Sequence, residues 1–325
     1  MMSGLAAKAV ATGKLPVIDI SGLRSANFGE SSDVGAQMRA ACRDKGFFYI
    51  KGHEIPPDLI AEIFQQAQRF FDLPLEAKER LHKKTSNANR GYEPIGGQRL
   101  EDGAPPDLKE SFFIGVEDAP DDPRVLAKQF GRGANQWPDL PGFREVVEAY
   151  TSRLTGLGRV LYRGLALSLG IDESYFDAFY KDPMNILRMI HYPQQPAHPL
   201  PNQKGCGAHT DFGGITILAQ DSAGGLQVWD EQQGWIHAEP IEGTFVVNLG
   251  DFMARWTNER YRSTLHRVVN ISGKERYSIP YFVNGSTDYE VSCIPTCLSD
   301  GEAAKYPPIT VADHFRAMYS KTYLV

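Results

Sequence analysis

The chain has no apolar run of about 18 residues, the length that a membrane-crossing helix needs. No transmembrane segment is expected. Its opening stretch, MMSGLAAKAVATGKLPVIDI, lacks a continuous apolar core, so a secretory signal is not expected either. Cysteine is scarce. Cys42, Cys206, Cys293 and Cys297 are too few for a disulfide framework in 325 residues, and they fit reduced thiols in the cytoplasm. Positive charge is not in excess either: Lys plus Arg number 34 against 40 Asp plus Glu, a formal charge of -6. Binding a phosphate backbone needs a clustered positive field, so nucleic acid is not an expected partner. No repeat, low-complexity segment or obligate protein partner can be read, and a small molecule is the expected partner.

Hydrophobic residues make up 42% of the chain, enough for a sizeable core. Residues 1–14 read as a loose N-terminus. The run LPVIDI (15–20) is of strand type, DVGAQMRAACRDKG (33–46) has helical spacing, and FFYIKGH (47–53) is again of strand type. A helix is expected to start after Pro57, in a pattern that continues to residue 81. Residues 84–108 are polar with Gly and Pro and read as a long irregular loop. The longest helical pattern spans 140–170 and ends at Gly170. From about residue 183 the texture changes to short runs of strand type: NILRMIHY, GITILAQ, GLQVWD, GTFVVNLG, LHRVVN and RYSIPYFVN. The expectation is an α+β fold with a mainly β core: a helix-rich region 15–182 packs on a core 183–290, a C-terminal segment 291–325 follows, and all form one compact unit.

His209 and Asp211 stand two apart in GAHTDFGGIT. On extended backbone, i and i+2 share a face, so both can reach one ion. His266, at the start of a strand-type run, is a third candidate. His191 would face inward or outward by strand parity. Two His and one carboxylate with open positions describe the facial triad of non-haem Fe(II) oxygenases. Arg276 and Ser278, in RYSIP, are also two apart. A guanidinium beside a hydroxyl suits a carboxylate. Gly213 and Gly214 are expected to allow a tight path beside the metal. Asn248, Gly250 and Asp251 read as a turn with Asp251 capping a helix, and carry no expected chemistry. Cys206 raises a Cys/His zinc site as an alternative, without a partner cysteine at suitable spacing.

These segments, in this order, resemble the 2-oxoglutarate/Fe(II)-dependent oxygenases of the isopenicillin N synthase-like superfamily. The resemblance runs from LPVIDI to about residue 290. It rests on HTDFGGITILAQDSAGGLQV, on GTFVVNLGDFMARWTNERYRSTLHRVVN, on ERYSIPYF, and upstream on RGYEPIGGQRL and KESFFIG. It implies a double-stranded β-helix (jelly roll) with supporting N-terminal and long central helices. It implies Fe(II) on His209, Asp211 and His266, and the distal carboxylate of 2-oxoglutarate on Arg276 and Ser278. Tyr192 matches a tyrosine that contacts a carboxylate in relatives. Relatives often carry Asn two residues before that tyrosine, where this chain has Ile190. The implied reaction uses O2 to convert 2-oxoglutarate to succinate and CO2 while a small organic molecule is hydroxylated or desaturated. Ascorbate is a candidate reductant.

Phe282 shares the parity of Arg276 and Ser278 and is a candidate substrate contact, with a core aromatic as the plain alternative. Arg90, Tyr92 and Arg99, in the 84–108 segment, are further candidates. Other functions stay open on the residues alone: an Fe(II) oxidase of the same superfamily that omits 2-oxoglutarate, a non-catalytic jelly-roll binding protein, or a zinc hydrolase.

Overall fold

The protein is described from a computed structural model covering residues 15–101, 103–196, 200–270 and 272–322, with 321 and 322 described by backbone only. The expected loose N-terminus, 1–14, lies outside the described residues.

In the N-terminal part, β1 (Val17–Asp19) is followed by α1 (Phe28–Asp44), β2 (Phe47–Lys51), α2 (Pro57–Phe71) and α3 (Leu75–Glu79). Then come β3 (Gly91–Glu93), β4 (Glu110–Gly115), α4 (Pro123–Leu126) and α5 (Phe143–Leu169). The β-rich part holds β5 (Ile186–Tyr192), β6 (Cys206–His209), β7 (Ile215–Gln220), β8 (Leu226–Asp230), β9 (Gly234–His237) and β10 (Phe245–Leu249). It continues with α6 (Asp251–Trp256), β11 (His266–Val268), β12 (Arg276–Val283), β13 (Glu290–Val291), β14 (Ile309–Thr310) and α7 (Val311–Thr322).

Eight strands form one sheet in the order β1-β2-β10-β7-β12-β5-β4-β3, and β6-β11-β8-β9 form a second. The large sheet is antiparallel except for the β1–β2 pair. Its two faces do different work, because alternate residues point to opposite sides. Odd residues of β12 and β5, such as Tyr277, Ile279, Leu187 and Met189, join the main core beneath α1, α2 and α5. Even residues face the second sheet, where Ile190 and Tyr192 meet Cys206, Val228 and Val268. This explains why every residue of β5 is buried.

Several expectations shift at their edges. Helix α1 begins at Phe28 rather than Asp33, because Asn27 caps it by accepting from the Gly29 N–H at 2.9 Å. The helical pattern expected to reach residue 81 breaks at Phe71; Pro74 stops it, and α3 restarts one residue later. The segment expected as a plain loop contains β3, paired with β4. Helix α5 ends where expected, with Gly170 left-handed at φ 70.

Candidate active site

His209 ends β6 and His266 opens β11, and these strands place the two histidines directly opposite each other. Their ring centroids are 4.2 Å apart. The Nδ1 of His209 lies 2.8 Å from the Gly207 carbonyl, and that of His266 lies 3.2 Å from the Thr264 carbonyl. A carbonyl only accepts, so Nδ1 carries the proton on each ring and Nε2 keeps its lone pair. The Asp211 Oδ1 stands 3.7 Å from the His209 Nε2 and 3.6 Å from the His266 Nε2. Asp211 Oδ2 is occupied: it accepts from Thr216 Oγ1 at 2.5 Å and from Asn248 Nδ2 at 2.7 Å. One oxygen is therefore tied to the protein and the other faces the histidines.

The protonation states suit a metal. Burial pushes the Asp211 carboxyl up, but the two histidines and the Asn248 and Thr216 donors outweigh it and hold it below its usual range. Burial lowers both histidines, and His209 lowers His266 further. The site thus presents two neutral imidazoles and a carboxylate. Among the described residues, this is the group of three or more His, Cys, Asp or Glu that could hold an ion, its ligand atoms all within 4.8 Å of one another. Cys206 does not join it. Its Sγ lies 3.8 Å from the wrong nitrogen of His209, Nδ1, and burial raises its pKa.

The backbone behind Asp211 is packed to the limit. A Cβ on Gly214 would stand 2.0 Å from the Tyr162 hydroxyl, and one on Gly213 would stand 2.0 Å from Asn284 Oδ1. The glycines expected to allow a tight path do so. The turn at 248–251 needs correction. Gly250, not Asp251, occupies the cap position of α6. Asp251 is the first helical residue; its N–H donates to the Asp211 carbonyl at 2.9 Å and its carboxylate accepts from Ser263. Asn248, expected to have no chemical part, holds the Asp211 carboxylate.

On the inner face, Arg276 sits opposite Tyr192 and Ser278 opposite Ile190. The Arg276 guanidinium lies 4.7 Å over the Tyr192 ring, and its Nε donates to the Gly224 carbonyl at 2.6 Å. Ser278 and Tyr192 share this face with Arg276, by the alternation of β12 and β5. Arg276 is 1% exposed, yet its Nη1 is buried without a hydrogen-bond partner. A buried, unpaired guanidinium N–H on a face shared with two hydroxyl-bearing residues is chemically fitted to a carboxylate. Two residues beyond Pro280, Phe282 is partly exposed and pairs with Thr216, the residue bonded to Asp211.

Of the 84–108 candidates, Arg90 and Tyr92 are buried and Arg99 is exposed. The Tyr92 hydroxyl donates to Glu110 at 2.7 Å, and its ring belongs to the helix-side core. Arg90 is not on an exposed loop. It is buried, lies against Gly115 and donates to the Gly131 carbonyl, tying two loops together. Arg99 is exposed, whereas its neighbour Gln98 is buried and accepts from Arg188 at 3.0 Å.

Residues that were not expected line the inner face. Arg188 donates to Ser111, Glu93 and Gln98, each at 3.0 Å, and lies 4.5 Å over the Phe113 ring. Lys109 pairs with Asp107 and reaches Cys206 Sγ at 3.4 Å. The available signal for Arg188 was its shared parity with Tyr192 in NILRMIHY.

Most of the chain matches known families. Residues 183–285 match the family model of the 2OG-Fe(II) oxygenase superfamily, and residues 15–140 match that of the non-haem dioxygenase in morphine synthesis N-terminal. The "2-oxoglutarate-Fe(II) type oxidoreductase hxnY" of Emericella nidulans is 43% identical, over 95% of this chain and 90% of that protein. The chain belongs to the 2-oxoglutarate/Fe(II)-dependent oxygenases. The crystal structure of a full-length Neurospora crassa protein in complex with alpha-KG superposes on this oxygenase with a TM-score of 0.86, at 34% identity, covering 97% of this chain and 99% of that one. The same Neurospora crassa protein with alpha-KG and thymine gives a TM-score of 0.85 at 33% identity, covering 96% and 98%. This oxygenase is an α+β jelly-roll enzyme that uses Fe(II), 2-oxoglutarate and O2 on a small organic molecule. No described helix is long and apolar enough to cross a membrane.

Proposed function

We propose that His209, Asp211 and His266 hold the Fe(II), that Arg276, Ser278 and Tyr192 hold the distal carboxylate of 2-oxoglutarate, and that Phe282 contacts the substrate. The observation that carries this reading is the presence of two features on the facing sides of the two sheets: Nε2, Nε2 and Oδ1 atoms within 4.8 Å of one another, and the unpaired Nη1 of buried Arg276. Iron, when bound, supplies O2 activation coupled to decarboxylation of 2-oxoglutarate. The chain's own residues do the rest. Gly207 and Thr264 orient the imidazoles through their carbonyls, and Asn248 and Thr216 keep Asp211 ionised and presenting one oxygen. Arg276 and Ser278 take the far end of the ketoacid, so that it enters in one orientation. Phe282 offers a ring face to a flat substrate, which is hydroxylated or desaturated; the related Neurospora crassa protein was crystallised with thymine, a flat ring.

We read residues 183–290 as the catalytic core, because all the proposed ligands and anchors lie within it, and 15–182 as its support. The four free cysteines support a cytoplasmic setting.

Anaerobic calorimetry with the Fe(II)-loaded protein tests the anchor without a known substrate. Arg276→Gln is expected to weaken 2-oxoglutarate binding roughly 10- to 100-fold, the effect of losing a charge-assisted hydrogen bond, with Fe(II) affinity retained. Unchanged 2-oxoglutarate binding would overturn the assignment.

A further inference from the structure

Behind the carboxylate anchor, on the opposite face of the same strands, lies a buried polar ladder. Glu110, His191 and Tyr277 stand side by side across β4, β5 and β12. Glu110 Oε1 bonds the His191 Nδ1 at 2.8 Å. Its Oε2 accepts from Lys78 Nζ at 2.8 Å and from the Tyr92 hydroxyl at 2.7 Å. The His191 ring stacks on Tyr277, with centroids 4.8 Å apart and planes 18° apart, and Phe71 of α2 closes over it at 5.5 Å. Lys78 also donates to the Phe71 carbonyl at 2.9 Å, so the ladder is fastened to the end of α2.

Each rung is the sequence neighbour of a residue on the inner face. Tyr192 follows His191, Tyr277 lies between Arg276 and Ser278, and Lys109 and Ser111 flank Glu110. Adjacent side chains on a strand share one backbone, so whatever fixes His191 and Tyr277 in the plane of the sheet also fixes Tyr192, Arg276 and Ser278. The chemistry is costly for mere core filling. Glu110 is 3% exposed, and an apolar trio of similar volume would fill the space without desolvating a carboxylate. Burial alone would raise the Glu110 carboxyl; bonds from His191, Lys78 and Tyr92 outweigh it and keep it ionised. A hydrogen bond adds direction, which packing lacks.

We propose that His191, held by Glu110 and stacked on Tyr277, is a positioning residue for 2-oxoglutarate: it sets the strand register and tilt that bring Tyr192, Arg276 and Ser278 onto the distal carboxylate. This rests on the reading that those three residues hold that carboxylate.

Three variants of the Fe(II)-loaded full chain separate the possibilities, read anaerobically by 2-oxoglutarate affinity, Fe(II) affinity and thermal midpoint. His191→Phe keeps a ring on Tyr277 and removes the donor; it is expected to weaken 2-oxoglutarate binding roughly five- to tenfold, less than the full effect of a lost hydrogen bond to a charged group because the bond acts on the anchor through the strands, with Fe(II) affinity retained. His191→Asn places an amide N–H where Nδ1 was and is expected to recover most of that loss. Glu110→Gln, which stands in if His191→Phe fails to fold, is expected to weaken 2-oxoglutarate binding in the same selective way. Parent-like 2-oxoglutarate binding in His191→Phe or Glu110→Gln overturns the proposal. So does a parallel fall of 2-oxoglutarate affinity, Fe(II) affinity and thermal midpoint, which is plain loss of stability. Arg276→Gln run alongside shows which reading fails. If it too binds 2-oxoglutarate normally, the anchor assignment has failed; if it alone is weakened, only the ladder has.

Discussion

The carboxylate of Asp211 shows how much of this site depends on residues outside the ligand set. Oδ2 is held by Thr216 and Asn248, and Oδ1 is left to face His209 and His266. Removing Asn248 leaves Oδ2 held by Thr216 alone and costs the carboxylate a donor within a buried site. Asn248→Ala is therefore expected to weaken Fe(II) binding roughly 10- to 100-fold, the usual effect of losing an outer partner of a ligand. Anaerobic Fe(II) titration checks it, and a change under twofold would mean that Thr216 suffices. At this scale the sequence was readable where two residues of one site stand two apart: His209 with Asp211, and Arg276 with Ser278. It was not readable where a partner arrives from a distant strand. Asn248 looked like part of a turn, and Arg188 is bonded to Glu93, 95 residues earlier.

Elements were legible when their periodicity was long and their ends carried Pro, Gly or a capping side chain. Helix α5 and strands β5 and β12 are of this kind. Strand β6 is only four residues, Cys-Gly-Ala-His, with no β-branched or aromatic side chain; it exists because β11 pairs with it, not because of local preference. The turn entering α6 is the opposite case, in which one backbone position decides the geometry. A Cβ on Gly250 would stand 2.3 Å from the Gly213 carbonyl oxygen and 2.8 Å from that of Asp211, both backbone atoms that cannot swing aside. Gly250→Ala is expected to cost about 3 kcal/mol of unfolding free energy and to weaken Fe(II) binding, since the Asp211 loop must shift. Gly156, exposed in the middle of α5 with nothing within 4 Å of a Cβ, is the control. Gly156→Ala is expected to stabilise by about 0.5–1 kcal/mol and to leave Fe(II) and 2-oxoglutarate binding alone. Denaturant unfolding of the two variants would contradict this if they moved stability in the same direction.

Across the whole molecule, the large sheet separates a helix-side core from an inner space that holds the proposed metal ligands and the proposed carboxylate anchor. The two-faced burial of β5 and β12 gave near-continuous apolar runs, which is why a β core was legible while the facing of individual residues was not. Tyr92 and Arg90 were placed on a substrate loop because the polar texture of 84–108 hid β3, which turns Tyr92 to the helix side. We propose that the space between the two sheets holds iron at His209, Asp211 and His266 and orients 2-oxoglutarate through Arg276. The most direct measurement is an anaerobic crystal structure with Fe(II) and 2-oxoglutarate, with iron located by its anomalous signal. Iron is expected on His209 Nε2, Asp211 Oδ1 and His266 Nε2, and the distal carboxylate on Arg276 Nη1 and Ser278. Iron on other ligands, or a distal carboxylate away from Arg276, would contradict this expectation.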